Sequence, residues 1–146
     1  MRVAIGSDHG GFALKCALCA FLLESGYEVA DLGCHGPISV DYPDYGFAVG
    51  EAVASGQAER GIAVCTTGIG ICMAANKLRG ARAALCGTLH AAEMTRRHND
   101  ANVLCLGGNT VSNEQAIAIT QTFLGTEFEG GRHAVRVEKI NHYKNI

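Results

Sequence analysis

The chain has 146 residues, 48% of them hydrophobic, and a formal net charge of −2 at pH 7. This length suits a single domain over residues 1–146, and the composition is that of an ordinary globular protein. Its 12 lysines and arginines are scattered along the chain, which argues against a nucleic-acid partner, because binding to a phosphate backbone needs a clustered basic face.

Short apolar runs alternate with longer segments in which apolar residues recur every three or four positions. This alternation is typical of βα units and a parallel sheet. The runs predict five strands, at residues 2–7, 28–32, 61–66, 82–86 and 103–107. The periodic segments predict five helices, at residues 11–24, 43–56, 69–77, 90–97 and 112–124. The simplest fold is α/β, a doubly wound five-stranded parallel sheet with strand order 2-1-3-4-5.

The segment from Gly125 to Ile146 opens on glycines and then becomes basic. We expect this C-terminal extension to cap, or reach across, another part of the molecule. No apolar stretch approaches the roughly 18 residues of a membrane span, and the N-terminus "MRVAIGSDHGG" is not signal-like. Seven cysteines without regular spacing favour a reducing compartment. We therefore expect a cytoplasmic protein with no membrane partner.

Polar residues follow the first and third predicted strands, in "GSDHGG" and "CTTGIG". Ligands bind open α/β sheets beyond the carboxyl ends of the strands, at the switch point between these two strands. Each loop leads into a helix N-terminus, where free backbone N–H groups favour an anion and glycines let it come close. We expect Asp8, His9 and Cys65 to line one pocket.

Cys65 differs from the other six cysteines, which we expect to be small buried hydrophobes. A helix N-terminus stabilises a thiolate, the form of cysteine that acts as a base or nucleophile. "CALC" at 16–19 has the spacing of a metal or redox pair, but it lacks a matching second pair and falls on an apolar helix face. A thiol-phosphatase loop is excluded, because Ile71 stands where its arginine is needed.

Two further polar clusters occur late in the chain. "RRHNDANV" at 96–103 places His98 and Asn99 shortly before a strand, and "GGRHAVR" at 130–136 places Arg132 and Arg136 four residues apart, one turn if this segment is helical. Each cluster taken singly is typical of solvated surface. Together with the first two loops, they are expected to meet at one functional edge of the sheet.

These motifs together resemble the type B ribose-5-phosphate isomerases of the RpiB/LacA/LacB sugar-phosphate isomerase family. The matching segments run in order over nearly the whole chain: "GSDHGG", "DYPDYG" at 41–46, the Cys65 loop followed by "AANK", "RRHNDANV" and "GGRHAVRVEKI". The resemblance implies a Rossmann-like fold, no metal or other cofactor, and interconversion of ribose 5-phosphate and ribulose 5-phosphate. It also implies a homodimer, or a dimer of dimers, whose active sites are shared between subunits.

By the same resemblance, Cys65 would be the base that moves a proton by way of an enediolate. His98 would protonate the ring oxygen to open the furanose, with Thr67 and Asp8 as polar helpers at the substrate. An anion hole would stabilise the enediolate. Its backbone N–H groups would be those of Thr66, Thr67, Gly68, Ile69 and Gly70. The related galactose-6-phosphate isomerase subunits lack either the cysteine or this histidine, so the presence of both favours the ribose enzyme.

The resemblance also assigns the phosphate and sugar contacts. His9, Arg132 and Arg136 would bind the phosphate, for which the planar guanidinium is well shaped. Asn99 would contact the sugar together with His98, across the dimer. Relatives often carry an arginine at the position of Asn109, where it reaches the phosphate of the neighbouring site, and Asn109 lacks that charge.

Two other functions stay open on the sequence alone. Thr66 replaces a glycine that the family usually has, and with Asn109 it leaves open a six-carbon substrate such as allose or galactose 6-phosphate. Its N–H can serve the anion hole if Thr66 avoids a positive φ. The other alternative is a flavodoxin-like module that holds a nucleotide or flavin without catalysis. Such a module has no use for His98 or the arginine pair, and the chain has no tryptophan to flank a flavin.

Overall fold

The computed structural model describes residues 1–144 and contains every predicted strand and helix, with ends displaced by at most two residues. The strands are β1 (Arg2–Ser7), β2 (Glu28–Asp31), β3 (Arg60–Cys65), β4 (Ala83–Leu85) and β5 (Val103–Gly107). The helices are α1 (Phe12–Glu24), α2 (Tyr42–Ala54), α3 (Ile69–Ala75), α4 (Leu89–Asn99), α5 (Asn113–Gly125) and α6 (Arg132–Asn141). A short 3₁₀ turn, His9–Gly11, leads into α1.

The five strands form one parallel sheet in the order β2-β1-β3-β5-β4. The predicted order 2-1-3-4-5 is therefore wrong at one edge, where β5 lies between β3 and β4. All five residues of β5 are buried, whereas β4 has only three residues and ends on the exposed Leu85. An interior strand is covered on both faces, so the longer apolar strand takes the inner position and the short one ends the sheet.

Helices cover both faces of this sheet, as expected for a doubly wound fold. On one face Leu18, Leu22 and Phe123 pack against Ile62 and Val64 of the central strand β3. On the other face α2 and α3 pack against Ala63 and Cys65, the alternate residues of the same strand. The alternation of side chains along β3 therefore directs the Cys65 thiol to the α2–α3 side of the sheet. Within residues 1–144, no helix has the length and apolar character needed to cross a bilayer.

The C-terminal extension contains α6, which packs beside α4. Asn141, the last residue of α6, accepts a hydrogen bond at its Oδ1 from Nη1 of Arg82, the residue just before β4, at 3.0 Å. The prediction that this segment reaches across another part of the molecule is confirmed for the described residues. Residues 145 and 146, which the prediction also included, lie outside them.

Candidate active site

Three loops meet at the carboxyl edge of the sheet, beyond the ends of β1, β3 and β5. The N–H of Asp8 donates to the Val64 carbonyl at 3.2 Å, which joins the first loop to the third strand. On the other side, the Gly108 N–H donates to the Cys65 carbonyl at 2.8 Å, and the Asn109 N–H donates to the Thr66 carbonyl at 3.1 Å. Asp8, Cys65 and Asn109 therefore belong to one continuous rim.

Glycines make this close approach possible at the β1–β3 junction. A Cβ on Gly10 would overlap the Thr66 hydroxyl, and a Cβ on Gly11 would overlap the Val64 carbonyl. The loops could not come together with larger residues at these two positions unless the backbone moved. The "GSDHGG" motif is thus required for packing against the Cys65 loop.

Cys65 is the last residue of β3, and its side chain is almost fully buried, at 4% exposure. The Gly68 N–H donates to the Cys65 Sγ at 3.1 Å. Gly68 has φ +79°, a conformation that favours glycine, and this turn points its N–H back at the sulfur. The hydrogen bond fixes the sulfur at the base of the loop, beside the backbone that leads into α3.

The N–H groups of the predicted anion hole are not equivalent. Gly68 uses its N–H on Cys65, and the Ile69 N–H donates to Thr67 Oγ1 at 3.3 Å. Within residues 1–144, the N–H groups of Thr66 and Thr67 donate to no protein acceptor, and both residues are exposed. Among the described non-glycine residues, only Asp100 has a positive φ, so Thr66 meets the condition for offering its N–H. The half-buried Gly70 lies against the ring of Tyr42.

Asp8 and His9 stand beside this loop with different exposures. The buried Asp8 carboxylate accepts the Gly11 N–H at 3.0 Å and so caps the turn that precedes α1. His9 is exposed, and its Nδ1 accepts the Val40 N–H at 3.2 Å. A neutral imidazole that accepts at Nδ1 carries its proton on Nε2. His9 can therefore present a donor to an anion at the rim.

His98 and Asn99 lie at the other edge of the sheet. They end α4, which starts after the carboxyl end of β4 and runs back toward the start of β5 at Val103. Cys65, by contrast, pairs with Gly107 at the end of β5. Within one chain, His98 and Asn99 therefore do not lie at the edge that carries Asp8, His9 and Cys65, which is compatible with the expectation that they act across a dimer. The physical reason is that the helix of a βαβ crossover runs antiparallel to its strands, so its last residues return to the amino edge.

A second cluster forms at this amino edge, around His98. The His98 ring stacks on the His133 ring with centroids 4.2 Å apart and an angle of 12° between planes. Glu129 lies beside both rings, with Oε2 at 3.5 Å from His133 Nε2 and 3.9 Å from His98 Nε2. Arg132 and Arg136 are exposed on α6, the helix that also carries His133. The helix implied by their spacing is thus present.

The charges of this cluster perturb one another. The hydrogen bond from Arg97 lowers the pKa of the Glu129 carboxyl below its ordinary value. Burial lowers the pKa of His133, and the positive charges of His98 and Arg132 act in the same direction. Glu129 is therefore a carboxylate and His133 a neutral ring at neutral pH. Sequence reasoning assigned no role to these two residues, although His133 lies in the quoted segment "GGRHAVRVEKI" and Glu129 directly precedes it.

Known proteins match nearly the whole length of this chain. Residues 3–140 match the family described as Ribose/Galactose Isomerase. The chain is 46% identical over 139 residues to ribose-5-phosphate isomerase B of Escherichia coli, covering 95% of this chain and 93% of that protein. It resembles the structure of Clostridium thermocellum ribose-5-phosphate isomerase B with a TM-score of 0.96 and 55% identity, covering 97% of this chain and 95% of the other.

A third relative was solved with a sugar phosphate. The structure of ribose-5-phosphate isomerase B from Mycoplasma genitalium with bound ribulose 5-phosphate has a TM-score of 0.93 and 41% identity to this chain. The alignment covers 97% of this chain and 95% of that one. These matches cover nearly all of the described fold, and the chain belongs to the ribose/galactose isomerase family.

Proposed function

We propose that this protein is an aldose–ketose isomerase that interconverts ribose 5-phosphate and ribulose 5-phosphate, with Cys65 as the base. The observation that carries this proposal is the Cys65 loop, in which a buried thiol lies beside the unused N–H groups of Thr66 and Thr67. A base next to an anion hole is the minimum equipment for moving a proton between adjacent carbons. The family match and the ribulose 5-phosphate bound by the Mycoplasma relative support the choice of sugar.

The proposed reaction starts from the open-chain aldehyde. The Cys65 thiolate removes the proton from C2, and the electron pair moves through the new C1–C2 double bond onto the carbonyl oxygen, giving an enediolate. The N–H groups of Thr66 and Thr67 face this developing charge, and donors of this kind contribute about 3 kcal/mol each in other enzymes. The hydroxyl proton then passes from O2 to O1, and the proton on the Cys65 thiol returns to C1 as the C2 carbonyl forms, which completes the ketose.

The furanose must open before this step, and we assign its opening to His98 of a second subunit. Because His98 ends a helix that returns to the amino edge, it is separated from Cys65 of its own chain by the length of the sheet. In a two-fold dimer, the cluster around His98 at the amino edge of each subunit can lie over the carboxyl edge of the other subunit. Two equivalent sites then form. Each site then takes Cys65 and Thr67 from one subunit, and His98 and Asn99 from the other.

An apolar surface next to the Cys65 loop supports such a dimer. Ile69 and Met73 lie one turn apart on α3 and are 50% and 66% exposed. Leu85 and Leu89, on either side of the β4–α4 junction, are 43% and 51% exposed. Four exposed aliphatic side chains around one site are typical of a surface that a partner covers. We propose that a second copy of this chain is that partner, either as a dimer or within a dimer of dimers.

The phosphate is proposed to bind between the two subunits. His9 offers its Nε2 donor at the rim of one subunit, and Arg132 and Arg136 supply two guanidinium groups one helical turn apart on the other. Arginine pairs of this kind bind phosphate oxygens in a bidentate manner. Asn109 adds no charge here, which favours a second candidate, a six-carbon sugar phosphate with a differently placed phosphate group.

The cysteines agree with a reducing compartment. All seven are free thiols in the described residues, and we propose a cytoplasmic location for the isomerase. Membership of an isomerase family also favours catalysis over the flavodoxin-like binding module.

Kinetics on matched substrates test the proposal. The specificity constant kcat/KM is measured for ribose 5-phosphate, allose 6-phosphate and galactose 6-phosphate under one set of conditions. We expect the highest value for ribose 5-phosphate. A higher kcat/KM for either hexose phosphate would show that the substrate is that hexose phosphate and that the reaction is still an aldose–ketose isomerisation. No turnover of any of the three sugars would refute the proposed function.

A further inference from the structure

Glu129 lies beside the two stacked histidine rings and contacts the same edge of both. Its Oε2 lies 3.5 Å from His133 Nε2 and 3.9 Å from His98 Nε2. Both imidazoles therefore turn the same nitrogen toward one carboxylate. For His98, this leaves Nδ1 on the opposite side of the ring, where it makes no hydrogen bond within residues 1–144. His98 thus has one nitrogen facing a carboxylate and the other available to a substrate.

Arg97 holds the Glu129 carboxylate in place. Its Nη2 and Nε lie 2.6 Å and 2.8 Å from Glu129 Oε1. The Glu129 N–H also donates to the Arg97 carbonyl at 3.1 Å. Because the guanidinium engages Oε1, the other oxygen, Oε2, remains directed at the histidines. The salt bridge from Arg97 Nη1 to Glu93 at 3.0 Å fixes the guanidinium on its other side.

The His133 ring packs against one face of the His98 ring. The His133 side chain is 9% exposed, and its Nε2 is buried without a hydrogen bond of good geometry in the described residues. A neutral ring stacked on His98 presents its π face to that imidazole, an arrangement that favours a positive charge on the upper ring. The parallel stack at 4.2 Å also limits rotation of the His98 ring.

The same three side chains bring their ligand atoms within 4.8 Å of one another, which is the spacing of a metal site. Two features disfavour a cation there. A metal binds in the plane of each imidazole along the nitrogen lone pair, and parallel stacked rings cannot both direct their lone pairs at one ion without distortion. In addition, three arginines, Arg97, Arg132 and Arg136, already place positive charge around the cluster, which repels a divalent ion.

We propose that Glu129 is a positioning residue for His98: its carboxylate faces Nε2, orients the ring with the support of His133, and directs Nδ1 toward the substrate. This inference rests on the proposed role of His98 in ring opening. In that step the C1 hydroxyl proton leaves to water, the C1–O4 bond breaks as the C1 carbonyl forms, and O4 receives the proton from His98 Nδ1. The carboxylate stabilises the imidazolium that donates this proton.

Ribulose 5-phosphate provides the substrate that does not need His98. Its C5 oxygen carries the phosphate, so no five-membered ring can close, and it is always open-chain. When Cys65 forms the enediolate from this substrate, its thiol carries the C1 proton. Once that proton has exchanged with the solvent, a deuteron returns to C1. Exchange therefore reports the Cys65 half of the site, whereas kcat on ribose 5-phosphate reports ring opening as well.

The test compares Glu129→Gln, Glu129→Asp and the matched surface control Glu127→Gln in the full-length protein. For Glu129→Gln we expect kcat on ribose 5-phosphate to fall by about tenfold or more, with KM within about twofold of wild type because the phosphate contacts are untouched. The rate of C1 deuterium exchange in ribulose 5-phosphate, measured by NMR, should be retained. Glu129→Asp should recover part of kcat, and Glu127→Gln should match wild type.

Each other outcome has a distinct meaning. Unchanged kcat in Glu129→Gln, or an equal loss of kcat and of exchange, overturns the positioning role. Full kcat in His98→Asn removes His98 from ring opening and this inference with it, but leaves the isomerase function intact. Wild-type protein that is inactive in both assays refutes the proposed function itself. Loss of wild-type turnover in EDTA, restored by zinc, overturns the positioning role in favour of a metal centre.

Discussion

Cys65 and His98 lie at opposite edges of the same parallel sheet. Cys65 pairs with Gly107 at the end of β5, and α4 carries His98 back toward the start of that strand. A strand rises about 3.3 Å per residue, so the five residues of β5 hold the two edges roughly 15 Å apart. The two side chains cannot act on the same sugar within one subunit.

This separation predicts that two inactive variants restore each other. In a mixture of equal amounts of Cys65→Ala and His98→Asn, after subunit exchange, each heterodimer has one site with both lesions and one intact site. Random exchange makes half of the dimers mixed, so activity should recover to roughly a quarter of wild type. Activity is measured on ribose 5-phosphate, and mass spectrometry quantifies the heterodimers.

A matched mixture controls for nonspecific recovery. His9 and Cys65 lie at the same edge of the sheet, so heterodimers of His9→Asn and Cys65→Ala contain no intact site. Their activity should not exceed the average of the two parents. If verified heterodimers of Cys65→Ala and His98→Asn stay inactive, the shared site is wrong.

Replacing the thiol tests the base directly. We expect Cys65→Ser to fold normally and to lose about a thousandfold in kcat, because a hydroxyl is too weak an acid to supply the base. Circular dichroism checks the fold. The expectation that Cys16 is buried is wrong, because its side chain is exposed on α1. Cys16→Ser is therefore the control variant, for which wild-type turnover is expected. Turnover close to wild type in Cys65→Ser would remove this cysteine from the mechanism.

The arginine pair is expected to act in binding. Arg136→Ala should raise KM for ribose 5-phosphate by about tenfold or more, the cost of one charge-assisted contact, with a small change in kcat, since the contact is present in both the ground state and the transition state. Lys139, another exposed cation on α6, serves as the control, and Lys139→Ala should keep the wild-type KM. A wild-type KM in Arg136→Ala would place the phosphate elsewhere.

An ion pair between the buried Lys15 and the exposed Asp31 makes the stability of the fold depend on pH. Lys15 is 1% exposed, and its Nζ lies 2.6 Å from Asp31 Oδ1. Burial acts to raise the pKa of Asp31, but hydrogen bonds from Lys15 and the Gly33 N–H outweigh it, so the pKa is lower than its ordinary value. A carboxyl with a lowered folded-state pKa contributes its stability above its unfolded pKa, about 3.9, and loses it as pH falls through the folded value.

Asp31→Asn should therefore lower the free energy of unfolding at pH 7, by about 1 kcal/mol because solvent screens the exposed carboxylate, as measured by urea denaturation. The difference in unfolding free energy between wild type and Asp31→Asn should shrink below about pH 4, because wild-type Asp31 then loses its negative charge. Glu28→Gln removes a surface carboxylate that contacts Arg2 at 3.5 Å, and it should change stability by less than about 0.5 kcal/mol. A difference between wild type and Asp31→Asn that stays constant with pH would contradict the ion-pair explanation.

Local patterns in the sequence were sufficient for the strands, the helices and the Cys65 loop. Strand β3 and the glycines after it are contiguous in the chain, and a parallel strand that ends at a switch point places its next residues at the binding edge. Cys65 ends a strand, and Asp8, His9 and Asn109 come within two residues after one. Their shared edge therefore follows from the order of elements alone. The quoted motifs also indicate the family, because they occur in order along the chain.

Only the tertiary structure decided that β5 lies inside the sheet and at which edge of the sheet His98 lies. The inner position of β5 depends on how completely both of its faces are covered, which is a property of the packed helices. The edge occupied by His98 depends on the direction of α4. Glu129 and His133 join His98 because α6 packs beside α4 and Arg97 bridges the two segments. Such contacts join residues about 30 positions apart, and no local periodicity encodes them, because their geometry is set by the packing of helices that are distant in the chain.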